Sequence, residues 1–383
     1  MSNKTKNNPD SLRLTPPERR RFRRRILSWY EREKRELPWR GEQDPYRVWV
    51  SEAMLQQTRA GTVRLRYTAF IERFPTLAAL ADAPLDAVLA EWQGLGYYGR
   101  ARNLHRAARQ VMNQEGSAMP KTRDALLALP GVGPYMAGAV ASIAFGVRCA
   151  AIDGNVLRVM SRILNLSLPV DTPPAQKTIH EETQALVPRA RPGDFNQALM
   201  DLGASICLPR NPDCAQCPVR VLCAGHLAGT QNALPVKTAK KPPEPCTLFQ
   251  FRAERNGLVL LTQREKTGLF GGMWELPGFM VEGHKEKAAP RWLREQCALL
   301  LGPGWRPGRE LARITRTLTH RKILFVVHLA EHFMNDAPQA DRNGLLWASE
   351  EDFRSLAVST AQRAAWSAAK SALHNMEGTQ GER

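Results

Sequence analysis

The sequence predicts two domains, a mostly α N-terminal domain followed by an α+β C-terminal domain. Three observations carry this. From about residue 18 to about residue 225, apolar residues recur at helical spacing. The stretch from Leu234 to Pro245 is rich in proline and lysine and reads as a linker. Beyond it, Phe249 to Ala253, Leu258 to Gln263 and Ile323 to Leu329 alternate or run apolar as strands do, with a helix-like stretch from Ala288 to Leu301 between them. A chain of 383 residues, 43% of them hydrophobic, has material for two cores. The expected boundaries are a disordered tail over 1–17, a helical domain over 18–230, a linker over 231–246, a second domain over 247–375 and a loose tail over 376–383.

The elements follow in chain order. The first residues are polar, with Pro9, Pro16 and Pro17. Six of the seven residues from Arg19 to Arg25 are arginine. This run reads as a solvated helix face, a targeting signal or a DNA-facing arm, and the sequence does not choose among them. Thr76 to Trp92 carries apolar residues at helical spacing. Ala101, Leu104, Ala108 and Val111 make one apolar stripe, with Arg102, Arg106 and Arg109 on another face of the same helix. That second face is either solvated or a ridge for phosphates. Lys plus Arg is 54 against 37 for Asp plus Glu, a net charge of +17, and such a basic balance points to a polyanion, most often nucleic acid. No run of 18 apolar residues occurs, so no membrane span is expected.

Four motifs bear chemistry. In Leu129-Pro130-Gly131-Val132-Gly133-Pro134-Tyr135, Gly131 and Gly133 allow a tight turn with exposed amides, and Pro134 suits a first helical turn. With helices on both sides this reads as a helix-hairpin-helix, which grips a DNA backbone without reading bases. Eighteen residues beyond Tyr135 stands Asp153, followed by Gly154 and Asn155. Alone, Asp153 reads first as the cap of the next helix. Glu52 sits in the uncharged, partly apolar run Val50 to Thr58, where a carboxylate tends to keep its proton; the plainer reading is a surface Glu near a helix start. Last, Cys207, Cys214, Cys217 and Cys223 follow the pattern C-x6-C-x2-C-x5-C. Thiols this close share a metal more often than they form disulfides in a chain of this length. The unequal outer gaps favour a four-thiolate iron–sulfur cluster, and zinc stays open.

Together these motifs resemble the endonuclease III-like DNA glycosylases. Glu52 within Glu-Ala-Met-Leu-Gln-Gln-Thr, and Leu269-Phe270-Gly271-Gly272-Met273-Trp274-Glu275-Leu276-Pro277 in the second domain, narrow the resemblance to adenine DNA glycosylases of the MutY type. It runs from about residue 20 to about residue 355. It implies a helical glycosylase domain with one [4Fe–4S] cluster per chain on the four cysteines, followed by a Nudix-like domain that reads the lesion. It also implies removal of adenine opposite 8-oxoguanine or G by hydrolysis of the N-glycosidic bond. Tyr135 stands where strand-cleaving relatives carry a lysine nucleophile, so base removal without strand cleavage is expected. The resemblance gives Glu52 the role of general acid and then base, and Asp153 that of stabilising the oxocarbenium-like sugar. Tyr135 and Asn155 would hold this centre. Arg35, Leu37, Trp39, Arg40 and Gln197 match the adenine pocket, although Leu37 to Arg40 alone read as core plus a surface charge. Gln57 and Tyr97 match residues that wedge into the duplex.

Two departures stand out. Around Trp292 to Cys297 the acids are too few for a Nudix metal motif, so no pyrophosphatase activity is expected. Where the family often has Phe-Ser-His, this chain has Leu318-Thr319-His320, which keeps a hydroxyl for the oxidised base and loses the phenyl ring. Competing readings are a thymine glycosylase for G·T mismatches and a catalytically idle iron–sulfur DNA-binding module. The expected partner is double-stranded DNA, met by a monomer away from any membrane. The compartment would be the cytoplasm and nucleoid of a bacterium, or the nucleus or mitochondrion of a eukaryote.

Overall fold

The computed structural model describes residues 13–114, 118–239, 241–265, 268–283, 285, 288–318, 320–333 and 344–380. The chain divides into two compact units. One holds the described residues up to Asp82 together with Asn103–Ala239. The other holds Ala83–Arg102 together with the described residues beyond Ala239. Sequence order would place Ala83–Arg102 in the middle of the helical domain, but its bonds lie elsewhere. The Gln93 side-chain amide donates to the Leu356 carbonyl at 2.6 Å, and Arg102 donates to the Gly271 carbonyl at 2.6 Å. Arg102 is therefore half-buried and committed within its unit. Of the expected arginine ridge, only Arg106 and Arg109 are exposed.

Among the described residues, twelve α-helices fall before residue 240: α1 (Pro16–Glu33), α2 (Pro45–Leu55), α3 (Ala60–Arg73), α4 (Leu77–Asp82), α5 (Leu85–Glu91), α6 (Gly99–Met112), α7 (Arg123–Leu127), α8 (Pro134–Phe145), α9 (Gly154–Ile163), α10 (Pro173–Leu186), α11 (Pro192–Ser205) and α12 (Ala224–Leu227). The stretch read as one helix over 76–92 is two, because Pro84 lacks the N–H that would continue the ladder. α1 starts earlier than the expected tail allows. Glu18 accepts from both the amide and the hydroxyl of Thr15 at 2.7 Å, a capping box, and Pro16 opens the helix. Its apolar stripe, Phe22, Ile26, Trp29 and Tyr30, is buried with Phe195, Leu199 and Leu202 of α11. A fully buried Phe or Ile contributes about 1.5–3 kcal/mol. Half of the arginine run ties α1 to α10 and to the cysteine loop: Arg19 pairs with Glu182 at 2.9 Å, Arg23 donates to the Leu186 carbonyl at 2.7 Å, and Arg25 to the Pro218 carbonyl at 3.2 Å. Arg20, Arg21 and Arg24 remain exposed.

Among its described residues the second unit has seven strands, β1 (Glu244–Arg255), β2 (Leu258–Gln263), β3 (Trp274–Glu275), β4 (Gly278–Glu282), β5 (Trp305–Thr317), β6 (Arg321–His332) and β7 (Leu345–Ala348), with α13 (Pro290–Leu301), α14 (Glu350–Ser355) and α15 (Thr360–Gln380). Strand order is β3-β2-β1-β6-β5, with β4 also on β1 and β7 also on β2; β1 and β6 are parallel. The strand period of two sorts side chains to two cores. Cys246 and Leu248 of β1 and Ile323, Phe325 and Val327 of β6 face Ala365, Trp366 and Ala369 of α15. Phe249, Phe251, Leu324 and Val326 face Leu293, Cys297 and Leu301 of α13. Burial on both sides is why Ile323 to Val327 reads as an unbroken apolar run, while β1 buries Thr247, Gln250 and Arg252 among its apolar residues.

The boundaries differ from expectation at two places. Much of the expected linker is docked on the helical unit, with Val170 donating to the Val236 carbonyl at 2.9 Å and Thr238 donating its amide to Asp171 at 3.1 Å. The tail expected over 376–383 is helical as far as Gln380, because adding a residue to a helix already formed costs less than starting one. Among the described residues no helix is long and apolar enough to cross a membrane.

Candidate active site

Glu52 lies on α2 and is 5% exposed, so it is not a surface residue. The Tyr135 hydroxyl, at the start of α8, donates to Glu52 Oε2 and also lies 3.7 Å from Met200 Sδ. Burial pushes the Glu52 carboxyl up to about 7; the Tyr135 bond opposes this, the nearby Asp153 charge adds to it, and the Arg40 charge opposes it. Tyr135 is itself pushed well above the usual phenol range, by burial and then by the Glu52 and Asp153 charges, so it stays a donor.

Asp153 is both the cap and part of this site. Its Oδ1 accepts from the Val156 amide at 2.7 Å at the start of α9, and its Oδ2 accepts from Asn155 Nδ2 at 2.8 Å. Burial raises its pKa, against these bonds and the Arg158 charge. Asn155 is fixed in turn by Arg158, which donates to Asn155 Oδ1 at 2.9 Å and to the Gly203 carbonyl at 2.7 Å. A Cβ at Gly203 would stand 2.6 Å from Asn155 Cβ, so the absence of a side chain lets α11 close on α9. Ahead of Asp153, the fully buried Asn196 accepts from the Ala151 amide at 3.1 Å and donates to the Cys149 carbonyl at 2.9 Å.

Arg35 and Arg40 converge on Asp201, which is fully buried. Arg35 Nε donates to it at 2.8 Å, and Arg40 also donates to Gln197 Oε1. Arg35, Leu37 and Arg40 line one surface cavity of about 550 Å³. Trp39 is buried instead, packed edge-on against Tyr67 at 5.5 Å. Sequence reasoning missed Asn196, Met200 and Asp201. Their signal was there: Gln197 and Asp201 are four apart, and so are Asn196 and Met200, on a helix too apolar to leave polar side chains idle.

The hairpin expected at Gly131 and Gly133 joins α7 to α8. Gly131 has φ +76° and packs so closely on Asn103 that a Cβ would meet it at 2.5 Å. Gly133 is the N-cap of α8, whose first amides lack helical partners. Gln57 and Tyr97, which lie in different units, both have left-handed backbones, with φ of 55° and 47°. Such a conformation is uncommon outside glycine and asparagine and gathers at functional sites. In the second unit Tyr97, Leu318 and His320 line one open cleft of about 560 Å³, together with Phe270 and Arg321. Leu318 and His320 belong to the turn between β5 and β6, where Leu318 donates to the Arg321 carbonyl at 2.7 Å. Thr319 lies outside the described residues.

Cys207, Cys214, Cys217 and Cys223 are unbridged and line one cavity. Arg162 beside it is 1% exposed and donates to Cys207 Sγ at 3.2 Å, to the Leu208 carbonyl at 2.7 Å and to the Leu234 carbonyl at 3.0 Å. A buried guanidinium among neutral acceptors calls for a negative neighbour, which a metal held by four thiolates supplies. The chemistry of the four thiols suits a metal centre, although among the described residues no group of three or more His, Cys, Asp or Glu is placed to hold a metal ion. Arg210 and Arg220 of the loop are exposed.

Comparison with known proteins agrees with this architecture. Residues 50–188 match the HhH-GPD superfamily of base excision DNA repair proteins, and residues 249–368 match the NUDIX domain. The chain is 36% identical to the adenine DNA glycosylase of Rattus norvegicus over 89% of this chain and 76% of that one. It is 36% identical to that of Homo sapiens over 89% of this chain and 72% of that one. Among solved structures, a thermostable thymine-DNA glycosylase superposes with a TM-score of 0.51 and 33% identity, over 55% of this chain and 98% of that one. The chain belongs to the adenine DNA glycosylases, the enzymes that remove adenine in base excision repair.

Proposed function

We propose that this enzyme removes adenine opposite 8-oxoguanine, and opposite G, by hydrolysis alone and leaves the strand intact. The buried Glu52–Tyr135 pair is the observation that carries the reading. A carboxyl raised to about 7 keeps a proton at neutral pH and can give it to adenine N7 once the base has left the stack. The C–N bond then breaks toward an oxocarbenium-like sugar, which the Asp153 carboxylate stabilises from its fixed place on Val156 and Asn155. Glu52, now ionised, takes the proton of the attacking water. Two carboxylates divide these roles much as in glycoside hydrolysis. Tyr135 offers no amine for a Schiff base, so the strand stays whole.

The cleft holding Tyr97, Leu318 and His320 supports lesion reading by the second unit. Gln57 and Tyr97 would enter the duplex, Gly131 and Gly133 would hold its phosphates, and Arg35, Leu37, Trp39, Arg40 and Gln197 would shape the adenine site. Cys207, Cys214, Cys217 and Cys223 would hold one [4Fe–4S] cluster, as endonuclease III-like proteins typically do. It would staple the loop that presents Arg210 and Arg220, rather than take part in catalysis.

The test uses duplexes with A opposite 8-oxoguanine, A opposite G, and T opposite G, each split with and without hot alkali. Breaks only after alkali, strongest for A opposite 8-oxoguanine, are expected. Breaks without alkali would overturn the hydrolysis-only reading. A second reading, thymine removal from T opposite G, draws on the thymine-DNA glycosylase likeness of the helical unit. The third duplex decides it.

A further inference from the structure

The cavity walled by the four cysteines has two more polar neighbours, His226 and Gln231. His226 Nδ1 and Gln231 Oε1 are buried, and neither has a hydrogen-bond partner among the described residues. A buried polar atom without a partner destabilises the fold. Two such atoms on residues of one wall are not explained by packing. Two of the thiols already have main-chain donors: the Val219 amide reaches Cys217, and the His226 and Gly225 amides reach Cys223. What remains for the two side chains is whatever fills the cavity.

We infer that His226 and Gln231 are hydrogen-bond donors to the sulfur atoms of the metal cluster and set its reduction potential; this rests on the cluster reading above. With its proton on Nδ1, the imidazole points a donor into the cavity. The Gln231 amide does the same after a half-turn that exchanges Oε1 for Nε2. Donors aimed at sulfur stabilise the electron-rich cluster more than the oxidised one, so they raise the potential. Arg162 acts in the same direction from Cys207. The pair thus holds the cluster against loss of an electron, as a structural staple requires.

Film voltammetry of the full-length protein, with the electron going to the electrode, tests this, and iron is counted in the same samples. His226→Phe and Gln231→Met keep bulk and remove the donor. Each is expected to make one-electron oxidation about tenfold easier, a midpoint lower by about 59 mV. His226→Asn, which keeps a donor, should stay near the parent. A parent protein without iron sinks the cluster reading itself. A full complement of iron with unmoved midpoints in both variants sinks this inference alone. If His226→Phe loses its iron, the parent decides: with histidine labelled with nitrogen-15 in the ring only, pulsed EPR of the oxidised cluster should show a coupling that follows the label, and no such coupling overturns the proposal.

Discussion

Arg40 and Asp201 are joined by two bonds of 2.8 Å, one to each carboxylate oxygen. The aspartate is fully buried and takes Arg35 as well, so one carboxylate orders two of the guanidiniums beside the candidate adenine site. Asp201→Asn leaves the Arg40 charge inside without its counter-charge. A loss of about 3–5 kcal/mol is expected, the usual result of breaking a buried pair, read from urea unfolding. Adenine release should fall with it. A variant as stable as the parent would remove Asp201 from this role.

Glu52 ties activity and stability to pH in the same window. Its pKa is about 7 in the fold against an ordinary 4.5, so between those values the folded state holds more protons than the unfolded one. This contribution to stability is complete below about 4.5 and is lost as pH rises toward about 7. Glu52→Gln should flatten that slope and be the more stable protein at pH 8, while release falls by about 10²–10⁴-fold. Glu275, raised to about 7 mainly by burial, leaves a slope of its own in both proteins.

Tyr135→Phe removes the bond that holds the Glu52 pKa down. The alkaline limb of the single-turnover rate should therefore move to higher pH, with a rate loss of about tenfold at the optimum, typical of one hydrogen bond. A limb that moves to lower pH would contradict the donor role.

Gly203→Ala places a methyl against Asn155, and a few tenths of an ångström of relaxation cannot absorb a 2.6 Å contact. Overpacking of this kind costs about 1–3 kcal/mol. Because Asn155 holds Asp153, the rate of base release should fall further than binding to a mismatch duplex does, which single-turnover and gel-shift measurements on one sample would separate.

Gln57 carries the opposite trade. Its left-handed backbone suits glycine, so Gln57→Gly should gain up to about 1 kcal/mol of thermal stability while affinity for an A-containing mismatch drops. A variant that binds as well as the parent would dismiss the wedge.

Much of this was legible in the residues. The strands around Phe249, Leu258 and Ile323, the α13 helix and the hairpin before Tyr135 follow local patterns of period and turn chemistry, and local patterns survive folding. Thr15-Pro16-Pro17-Glu18 also announced its capping box, but the prolines drew the reading toward a tail. What the residues could not disclose is partnership over distance. Asp201 looks like an ordinary helical acid until Arg35 and Arg40 arrive from the other end of the helical unit. Asn196 shows only its spacing to Met200, because its partners, the main chain at Cys149 and Ala151 and the Ser142 hydroxyl, lie far off in sequence. Arg102 shares its periodic face with Arg106 and Arg109, yet the Gly271 carbonyl claims it.

The segment Ala83–Arg102 has a consequence for how the polypeptide is made. On a ribosome it emerges early, flanked on both sides by chain that belongs to the helical unit. Two of its bonds come late: Arg102 must wait for Gly271, and the Gln93 amide for Leu356, 263 positions further on. The nascent chain therefore carries an unfinished piece through the synthesis of most of its length, and that loop closes at an entropic cost. A shortened polypeptide ending at the linker would leave the Gln93 amide and the Arg102 guanidinium without the Leu356 and Gly271 carbonyls, and should be held by chaperones or cut at that segment first.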